Sequence, residues 1–444
     1  MKRFFETLKN IWTIEDLRVR ILNTLGLLLI YRLGSYVVLP GIDSSALEVA
    51  NAGNTGGIAG LLDLFAGGAF SRASIFALGI MPYISASIVV QLLGIAIPYF
   101  QKLQKEGESG RRKINQITRM LTIIIVAFQA PGYIASQIPS HTATGMLVRP
   151  DTFVWWLSTV IILITGTMFV MWLGERITEK GLGNGISLII MIGIIARLPF
   201  AFVAEFASRI KGGGLVVLLI ELVILLLVII ATILLVQGTR RVPVQFAKRV
   251  VGNKQYGGVR QYVPLKVNSA GVMPIIFAQA IMFIPITFAG FASMDNLSGF
   301  TAALSDYTGF WYNFIFFWMI ILFTYFYTAV TVNPNQMAED MKKNGGFIPG
   351  VKPGKRTAAF LEDILSKITL PGSIFLGIVA ILPAFAIILE VNSEFAQFYG
   401  GTSLLIMVGV ILDTLQQIES HLLMRHYDVL MKTGKIKGRS SINF

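Results

Sequence analysis

The chain has 444 residues, of which 54% are hydrophobic and only 14% are charged, and its formal net charge is +13. A soluble protein carries about 25% charged residues, so this composition excludes an ordinary soluble domain and predicts a polytopic membrane protein. The chain contains no cysteine, which excludes disulfides and cysteine-based metal sites, and its 3 histidines lack metal-ligand spacing. We therefore predict no metal, no cofactor and no catalytic residue.

Apolar runs of about 20 residues, each long enough to cross the hydrocarbon core, recur along the chain. The first run follows a polar, basic stretch, so we interpret it as a retained span rather than a cleaved signal peptide. The ten predicted spans lie near residues 21–39, 75–97, 117–136, 153–173, 184–203, 215–237, 270–291, 310–332, 368–389 and 402–422.

Basic residues predict the orientation of these spans. The six polar segments that can share one side of the membrane hold 31 of the 37 lysines and arginines. By the positive-inside rule that side is cytoplasmic, and both termini lie on it. Five spans then end outside, so residues 1–205 and 206–444 form two inverted five-helix halves. Inverted halves are common among transporters, so this all-α architecture does not by itself indicate one function.

A short apolar segment, Gly56 to Gly68, precedes the second span and reads GGIAGLLDLFAGG. Its centre, Ile58 to Ala66, is apolar except for Asp63. Nine helical residues reach only about 14 Å, whereas a membrane span needs about 30 Å. The segment therefore predicts a helix that enters the membrane region without crossing it. From the residues alone, an ordinary re-entrant segment is the simplest interpretation.

Two cytoplasmic loops, residues 238–269 and 333–367, are longer than a simple connection requires. Long basic loops are typical of docking surfaces, but they are also typical of mobile, solvated segments near anionic lipid. Both interpretations stay open. The basic residues that would bind a partner are Arg240, Arg241, Lys248 and Arg249 in the first loop and Lys352, Lys355 and Arg356 in the second.

Charged residues inside predicted spans could form a relay, and the candidates are Arg32, Glu221 and Asp413. Ion-coupled transport would use such groups as a relay, with Asp413 as the coupling site, whereas paired charges would be structural. A secondary transporter is therefore one alternative function, and proton- or sodium-dependent uptake would identify it. An intramembrane enzyme is another, but no serine, histidine and aspartate at motif spacing supports catalysis.

Several longer motifs resemble one known family. LFAGGAFSRASIFALGIMPYISASIVVQLL is followed by KEGESGRRKINQITR, and LGERITEKGLGNGIS, RRVPVQFAKR, PLKVNSAGVMPIIFA, FIPGVKPGKRTAAFLE and GGTSLLIM come later in the same order. Together, from about residue 20 to 439, they resemble the SecY family, whose members form the central subunit of a protein-conducting channel. The resemblance implies ten spans around a central pore, closed by a short plug helix at residues 56–70.

The family's functional positions can be carried over residue by residue. The plug would include Ile58, Leu61, Leu62, Leu64 and Phe65. The resemblance also implies a mid-membrane ring of aliphatic side chains, which here are Ile84, Ile88, Ile186, Ile190, Ile276 and Ile406. The lateral gate between spans two/three and seven/eight would include Gln91 and Ile284. Lys352 occupies a position where the family usually has arginine.

The resemblance further implies a function without catalysis. Unfolded secretory polypeptides, led by signal peptides, would cross the bacterial inner membrane through the ring, and transmembrane segments of nascent chains would leave sideways into the lipid bilayer. SecE-like and SecG-like membrane subunits would complete the channel. A SecA-like ATPase motor and the ribosome, through its RNA, would dock on the basic loops.

Overall fold

The computed structural model of the protein describes residue 12 and residues 14–51, 58–141, 147–211, 214–246, 249–251, 254–256, 260–279, 281–282 and 308–432. These residues pack into two compact units. One unit contains the residues up to Arg197 together with those from Val410 onwards, and the other runs from Leu198 to Gly409. The predicted halves, residues 1–205 and 206–444, were inferred from the number and orientation of the spans, and they stay a prediction.

The helices and strands are named here in chain order. The first nine helices are α1 (Glu15–Gly34), α2 (Ser44–Asn51), α3 (Ile58–Phe65), α4 (Met81–Ala96), α5 (Pro98–Lys105), α6 (Glu108–Gln137), α7 (Phe153–Lys180), α8 (Gly185–Lys211) and α9 (Leu215–Gln237). They are followed by β1 (Thr239–Phe246), β2 (Arg249–Val251), β3 (Lys254–Tyr256), β4 (Arg260–Lys266), α10 (Phe310–Thr331), α11 (Pro334–Lys343), β5 (Gly346–Phe347), α12 (Lys355–Ile388), α13 (Ser393–Ala396) and α14 (Gly401–Lys432).

Within the described ranges, 7 helices are long and apolar enough to cross a membrane. They correspond to predicted spans three to six and eight to ten. The second predicted span matches α4, which meets α5 at a bend of 104°. The first matches α1. The seventh span is described only for its first part, where residues 273–279 and 281–282 are helical.

The first two predicted spans extend too far, at 35–39 and at 75–80. In the structure, Val38 and Ser74 form an isolated antiparallel β-bridge. Leu39 N–H donates to the Ala73 carbonyl at 2.9 Å, and Ile75 N–H donates to the Val37 carbonyl at 2.9 Å. Backbone groups used in this pairing cannot continue a helix. Apolar composition alone could not separate these bridge and turn residues from the helices beside them.

A buried core surrounds the residues that follow α3. Ala66, Ala69, Phe70 and Ala73 pack with side chains of α6, such as Ile134. The Tyr133 hydroxyl donates a 2.6 Å hydrogen bond to the Phe70 carbonyl, which satisfies a polar group inside this apolar core. The chain just after the short helix is therefore anchored to α6.

The two long basic loops form one folded platform, which their composition did not reveal. β1 pairs antiparallel with β4, and its end pairs with β5 from the second loop, where Gln245 lies opposite Phe347. Beneath these strands, Val242, Val244 and Ile348 pack against Leu361 of α12. Burying one face of the strands leaves the other face for solvent and partners. The loops are thus ordered where described rather than only solvated.

Candidate functional site

The short helix α3 ends because of its glycines. Gly67 has φ of +64°, which favours glycine, and its N–H donates to the Leu64 carbonyl at 3.1 Å. The Gly68 N–H donates to the Asp63 carbonyl at 2.9 Å. This pair of hydrogen bonds is a Schellman motif, which satisfies the last carbonyls of a helix. With 8 residues, α3 is about 12 Å long and cannot span a bilayer.

Two arginines bind the turn that follows α3. Arg32 of α1 donates to the Gly67 carbonyl at 2.7 Å, and Arg72 donates to the same oxygen at 3.0 Å. The Nε of Arg72 also donates to the Gly68 carbonyl at 2.7 Å. Both guanidinium groups stack on the ring of Tyr36, at 4.8 and 4.2 Å from its centroid. Cations at the C-terminal end of a helix are favourable because that end carries partial negative charge.

Asp63, the polar residue inside the apolar segment, is buried and fully engaged. Its carboxylate accepts hydrogen bonds from the Ser71 N–H at 2.8 Å and the Ser71 hydroxyl at 3.0 Å. It also forms an ion pair with Arg197 of α8. A buried charge is tolerated only when it is paired and hydrogen-bonded, so these partners explain why an aspartate can occupy this helix.

Arg197 was missed by the sequence analysis, although a signal was present. It lies inside the predicted fifth span, 184–203, in the apolar run IGIIARLPF. A charged residue inside a span usually has a partner or a function. Gly193, one helical turn earlier on the same face, allows close approach, because a Cβ there would lie 2.6 Å from the Phe65 carbonyl oxygen. The backbone of α3 therefore packs directly on α8.

The predicted plug residues are described in part. The side chains of Leu64 and Phe65 are buried. The side chains of Ile58, Leu61 and Leu62 are not described, and Gly56 and Gly57 lie outside the described residues.

The predicted ring residues are distributed over both units. In the first unit, Ile84 and Ile88 share one face of α4, and both are buried. Ile190 of α8 is also buried, while Ile186 is half-buried and approaches Gly174 of α7. The assignment of these four side chains to a pore stays a prediction.

The two remaining ring residues lie on neighbouring elements of the second unit. A Cβ at Gly409 of α14 would lie 3.3 Å from the Val272 side chain, so these segments pack closely. Ile276 and Ile406 are each about one turn from that contact, and Ile406 is buried whereas Ile276 is half-buried. Of the predicted gate residues, Gln91 donates to the Ser87 hydroxyl at 3.3 Å. Ile284 lies outside the described residues.

The basic residues predicted to bind partners are exposed wherever their side chains are described. Arg240 and Arg241 lie on β1, and Lys352, Lys355 and Arg356 lie before or within the first turn of α12. Lys248 lies outside the described residues, and the side chain of Arg249 is not described.

The three candidate relay residues do not point to a relay. Arg32 binds the Gly67 carbonyl, as described above. Glu221 pairs with Arg209 at 2.5 Å, and Arg209 also pairs with the buried Glu205 at 2.7 Å. Asp413 lies on an exposed position of α14. Arg32 and Glu221 thus fit the structural alternative, in which charges inside the spans are paired within the protein.

Comparison with known proteins agrees with this architecture. The family model SecY matches residues 74–415. "Protein translocase subunit SecY" of Halalkalibacterium halodurans is 43% identical over 436 residues, covering 96% of this chain and 100% of the relative. The Mycobacterium tuberculosis H37Rv protein of the same name is 42% identical over 435 residues, covering 94% of this chain and 97% of its own length.

Solved structures show the same fold. A SecY channel whose plug domain stabilises the closed state and maintains a membrane seal aligns with a TM-score of 0.61 at 15% identity, covering 91% of this chain and 92% of that one. Sec61 in the canine ribosome–channel complex aligns with a TM-score of 0.56 at 15% identity and the same coverage. The predicted fold class, a helical multi-pass membrane channel with a short plug helix, is confirmed. The chain belongs to the SecY family of protein translocase subunits, which are protein-conducting channels and not enzymes.

Proposed function

We propose that this translocase subunit passes unfolded secretory polypeptides outward through an aliphatic ring and seals that path at rest with α3. The observation that carries the proposal is the short apolar helix α3. It is too short to span, yet its C-terminal end is buried and bound within the unit that carries Ile84 and Ile88. A helix of this kind can close a funnel without crossing the membrane.

The ring residues would act as a barrier rather than as a binding site. A narrow aliphatic constriction loses its water and so resists ions. It forms no strong bond with a passing chain, so polypeptides of any sequence can slide through. Isoleucine is stiff at χ1 because it is β-branched, which favours a defined aperture. The i,i+4 spacing of Ile84 and Ile88, and of Ile186 and Ile190, supports a shared orientation of each pair.

Lateral release would occur between spans two/three and seven/eight. Gln91 and Ile284 are the residues that we assign to this gate. An apolar segment of a nascent chain favours lipid over an aqueous path, because burying apolar surface is worth about 25 cal/mol per Å². An opening between spans would let such a segment leave sideways, while polar segments would continue through the ring.

The folded platform would bind cytosolic partners, and helix electrostatics supports this. Lys355 and Arg356 occupy the first turn of α12, where the partial positive charge of the helix end disfavours cations by about 0.3–1 kcal/mol each. Topology requires positive charge on this side of the membrane, but not at this unfavourable position. A docked ribosome, through RNA phosphates, or an acidic surface of a SecA-like motor would explain the placement.

The proposed location follows from the distribution of basic residues and from the similarity to known channel proteins. We place the chain in the bacterial inner membrane with both termini in the cytoplasm, on the side of the basic loops. Sec61 in the canine complex is a channel bound to a ribosome, which supports ribosome docking here. SecE-like and SecG-like membrane subunits would complete the channel.

The test is reconstitution of the full chain with its membrane partners in vesicles. A stalled secretory chain should crosslink to photoreactive groups placed at Ile88 or Ile406. The matched controls are Ile95 and Ile411, exposed isoleucines on the same helices. Crosslinks at the control positions that equal those at the ring positions would contradict the proposed path.

A further inference from the structure

The contact between α3 and α8 combines close backbone packing with one ion pair. Gly193 and Arg197 lie one turn apart on the same face of α8. At Gly193 a Cβ would lie 3.2 Å from the Gly67 nitrogen, so only a residue without a side chain fits there without displacing the turn. Arg197 reaches past this contact to the carboxylate of Asp63. Gly193, which has no side chain, and Arg197, which has a charged one, therefore both contribute to the contact with α3.

The two side chains that bind the Asp63 carboxylate connect α3 to different parts of the structure. Ser71 belongs to the turn that directly follows α3, so its two hydrogen bonds shape the local chain. Arg197 belongs to another predicted span, 134 residues along the sequence, so its bond ties α3 to a different part of the unit. Arg197 also donates to the Ser71 hydroxyl at 3.3 Å, which orients the guanidinium toward the carboxylate.

We propose that the Asp63–Arg197 ion pair is a hydration-sensitive latch that keeps α3 in its resting position. This inference rests on the proposed function of α3 as a seal. Arg197 is then a positioning residue for the closed channel, acting through Asp63 and not through the translocated chain.

The physical basis is the dependence of ion pairs on their surroundings. In a dry, low-dielectric environment the attraction between two charges is many times stronger than in water. Asp63 is 6% exposed and the Arg197 side chain is 27% exposed, so the carboxylate is the shielded member of the pair and the guanidinium is partly in contact with solvent in the described state. When a polypeptide enters and water follows, both charges gain hydration and their attraction falls. The latch is therefore strong while the path is dry and weak once it is wet, so entry of substrate releases α3.

The test uses the full chain with its membrane partner subunits in planar bilayers, with no substrate present. Asp63→Asn removes the charge but keeps an oxygen that can accept the Ser71 N–H. Arg197→Gln removes the opposite charge, and the third variant carries both changes. We expect each single variant to raise the fraction of time that the resting channel conducts at least tenfold. The double variant should conduct no more than about twice as often as the larger single variant, because one interaction is lost in all three.

Matched controls come from a second ion pair in the same unit. Arg149 and Asp151, which precede α7 in the chain, pair at 3.4 Å, and Asp151 is largely exposed. Asp151→Asn and Arg149→Gln change the net charge as the test variants do, and we expect resting conductance to stay at the unmodified level. Arg197→Lys keeps the positive charge without the planar fork, so its conductance should lie between the unmodified channel and Arg197→Gln.

The outcomes separate the latch from the seal itself. Single variants that stay closed, or effects that multiply in the double variant, overturn the latch. If Arg197→Gln does not insert, the comparison of Asp63→Asn with Asp151→Asn decides. A failure of the unmodified channel to translocate a secretory chain would instead overturn the proposed function. Unmodified translocation with no resting leak in Asp63→Asn would overturn the latch alone.

Discussion

The guanidinium of Arg32 donates a 2.7 Å hydrogen bond to the carbonyl oxygen of Gly67, which ties α1 to the turn at the end of α3. This contact places the first membrane helix and the short helix in one bonded assembly. The turn that follows α3 has φ of +64° at Gly67 and +87° at Gly68. The position of α3 is therefore defined by backbone geometry as well as by apolar contact.

Removing α3 tests its role directly. Deleting residues 58–66 should leave the rest of the chain folded, because among the residues of the buried core around Phe70 and Tyr133 it removes only the small side chain of Ala66. The resting channel should then leak ions. Single-channel recordings in planar bilayers would measure the leak. Resting currents equal to those of the unmodified channel would argue against a sealing role.

Gly67→Ala should loosen the same turn. A residue with a Cβ is strained at positive φ by about 1 kcal/mol, and here the Cβ would also lie 2.8 Å from the Gly193 Cα. We expect more frequent resting openings and faster proteolysis near α3. The matched control is Gly26→Ala in α1, where no atom lies within 4 Å of the added Cβ. An equal leak in both variants would show that the effect is not specific to the turn.

Widening the proposed ring should weaken the discrimination of signal sequences. Ile88→Gly combined with Ile406→Gly removes two buried aliphatic side chains, and a wider aperture admits a chain with a defective signal. Export of a reporter with such a signal is the measurement. The control pair is Ile95→Gly with Ile411→Gly, exposed positions on the same two helices. Equal export by both pairs would remove the support for the ring.

Charge reversal on the platform should weaken partner docking. In Lys352→Glu with Arg356→Glu, we expect normal insertion, reduced motor-driven export and a smaller salt dependence of ribosome binding. The control is Lys342→Glu with Lys343→Glu, which makes the same charge change in the last turn of α11. Because cations stabilise that end of a helix, these lysines have a structural explanation. Equal partner affinity in both variants would leave membrane topology as the only explanation of the basic residues in these loops.

Breaking the charge cluster on α8 and α9 should destabilise the second unit. Arg209→Gln leaves the buried carboxylates of Glu205 and Glu221 without their cation, which costs about 3–5 kcal/mol. Thermal unfolding in detergent would measure the loss. Combining Arg209→Gln with Glu221→Gln removes one of the two carboxylates and should recover part of the stability. Export that depends on Glu221 while stability is unchanged would revive the relay alternative.

The lengths of the hydrophobic runs predict much of the fold. Ile21 to Leu39 and the later runs are apolar enough to predict ten spans, and the basic segments predict their orientation. Local chemistry also predicts where α3 ends, since Gly67 and Gly68 follow directly. These features are readable because lipid and backbone geometry act on each segment independently of distant residues.

Tertiary structure decided which polar residues meet. Asp63 and Arg197 are 134 positions apart in the sequence. Hydropathy shows only that each is a charged residue in an apolar run, and it does not show that the two form a pair. The pairing of β1 with β5 likewise joins two loops separated by predicted spans seven and eight. Residues 35–39 and 75–80 lie in apolar runs and were predicted to belong to spans, but they are not helical, because apolar side chains suit helices, bridges and turns alike. The length of an apolar run and the charge of a loop are local properties, so they can be read from the sequence. Ion pairs, strand pairing and the close packing at Gly193 depend on residues that are distant in the sequence, so only the folded chain brings them together.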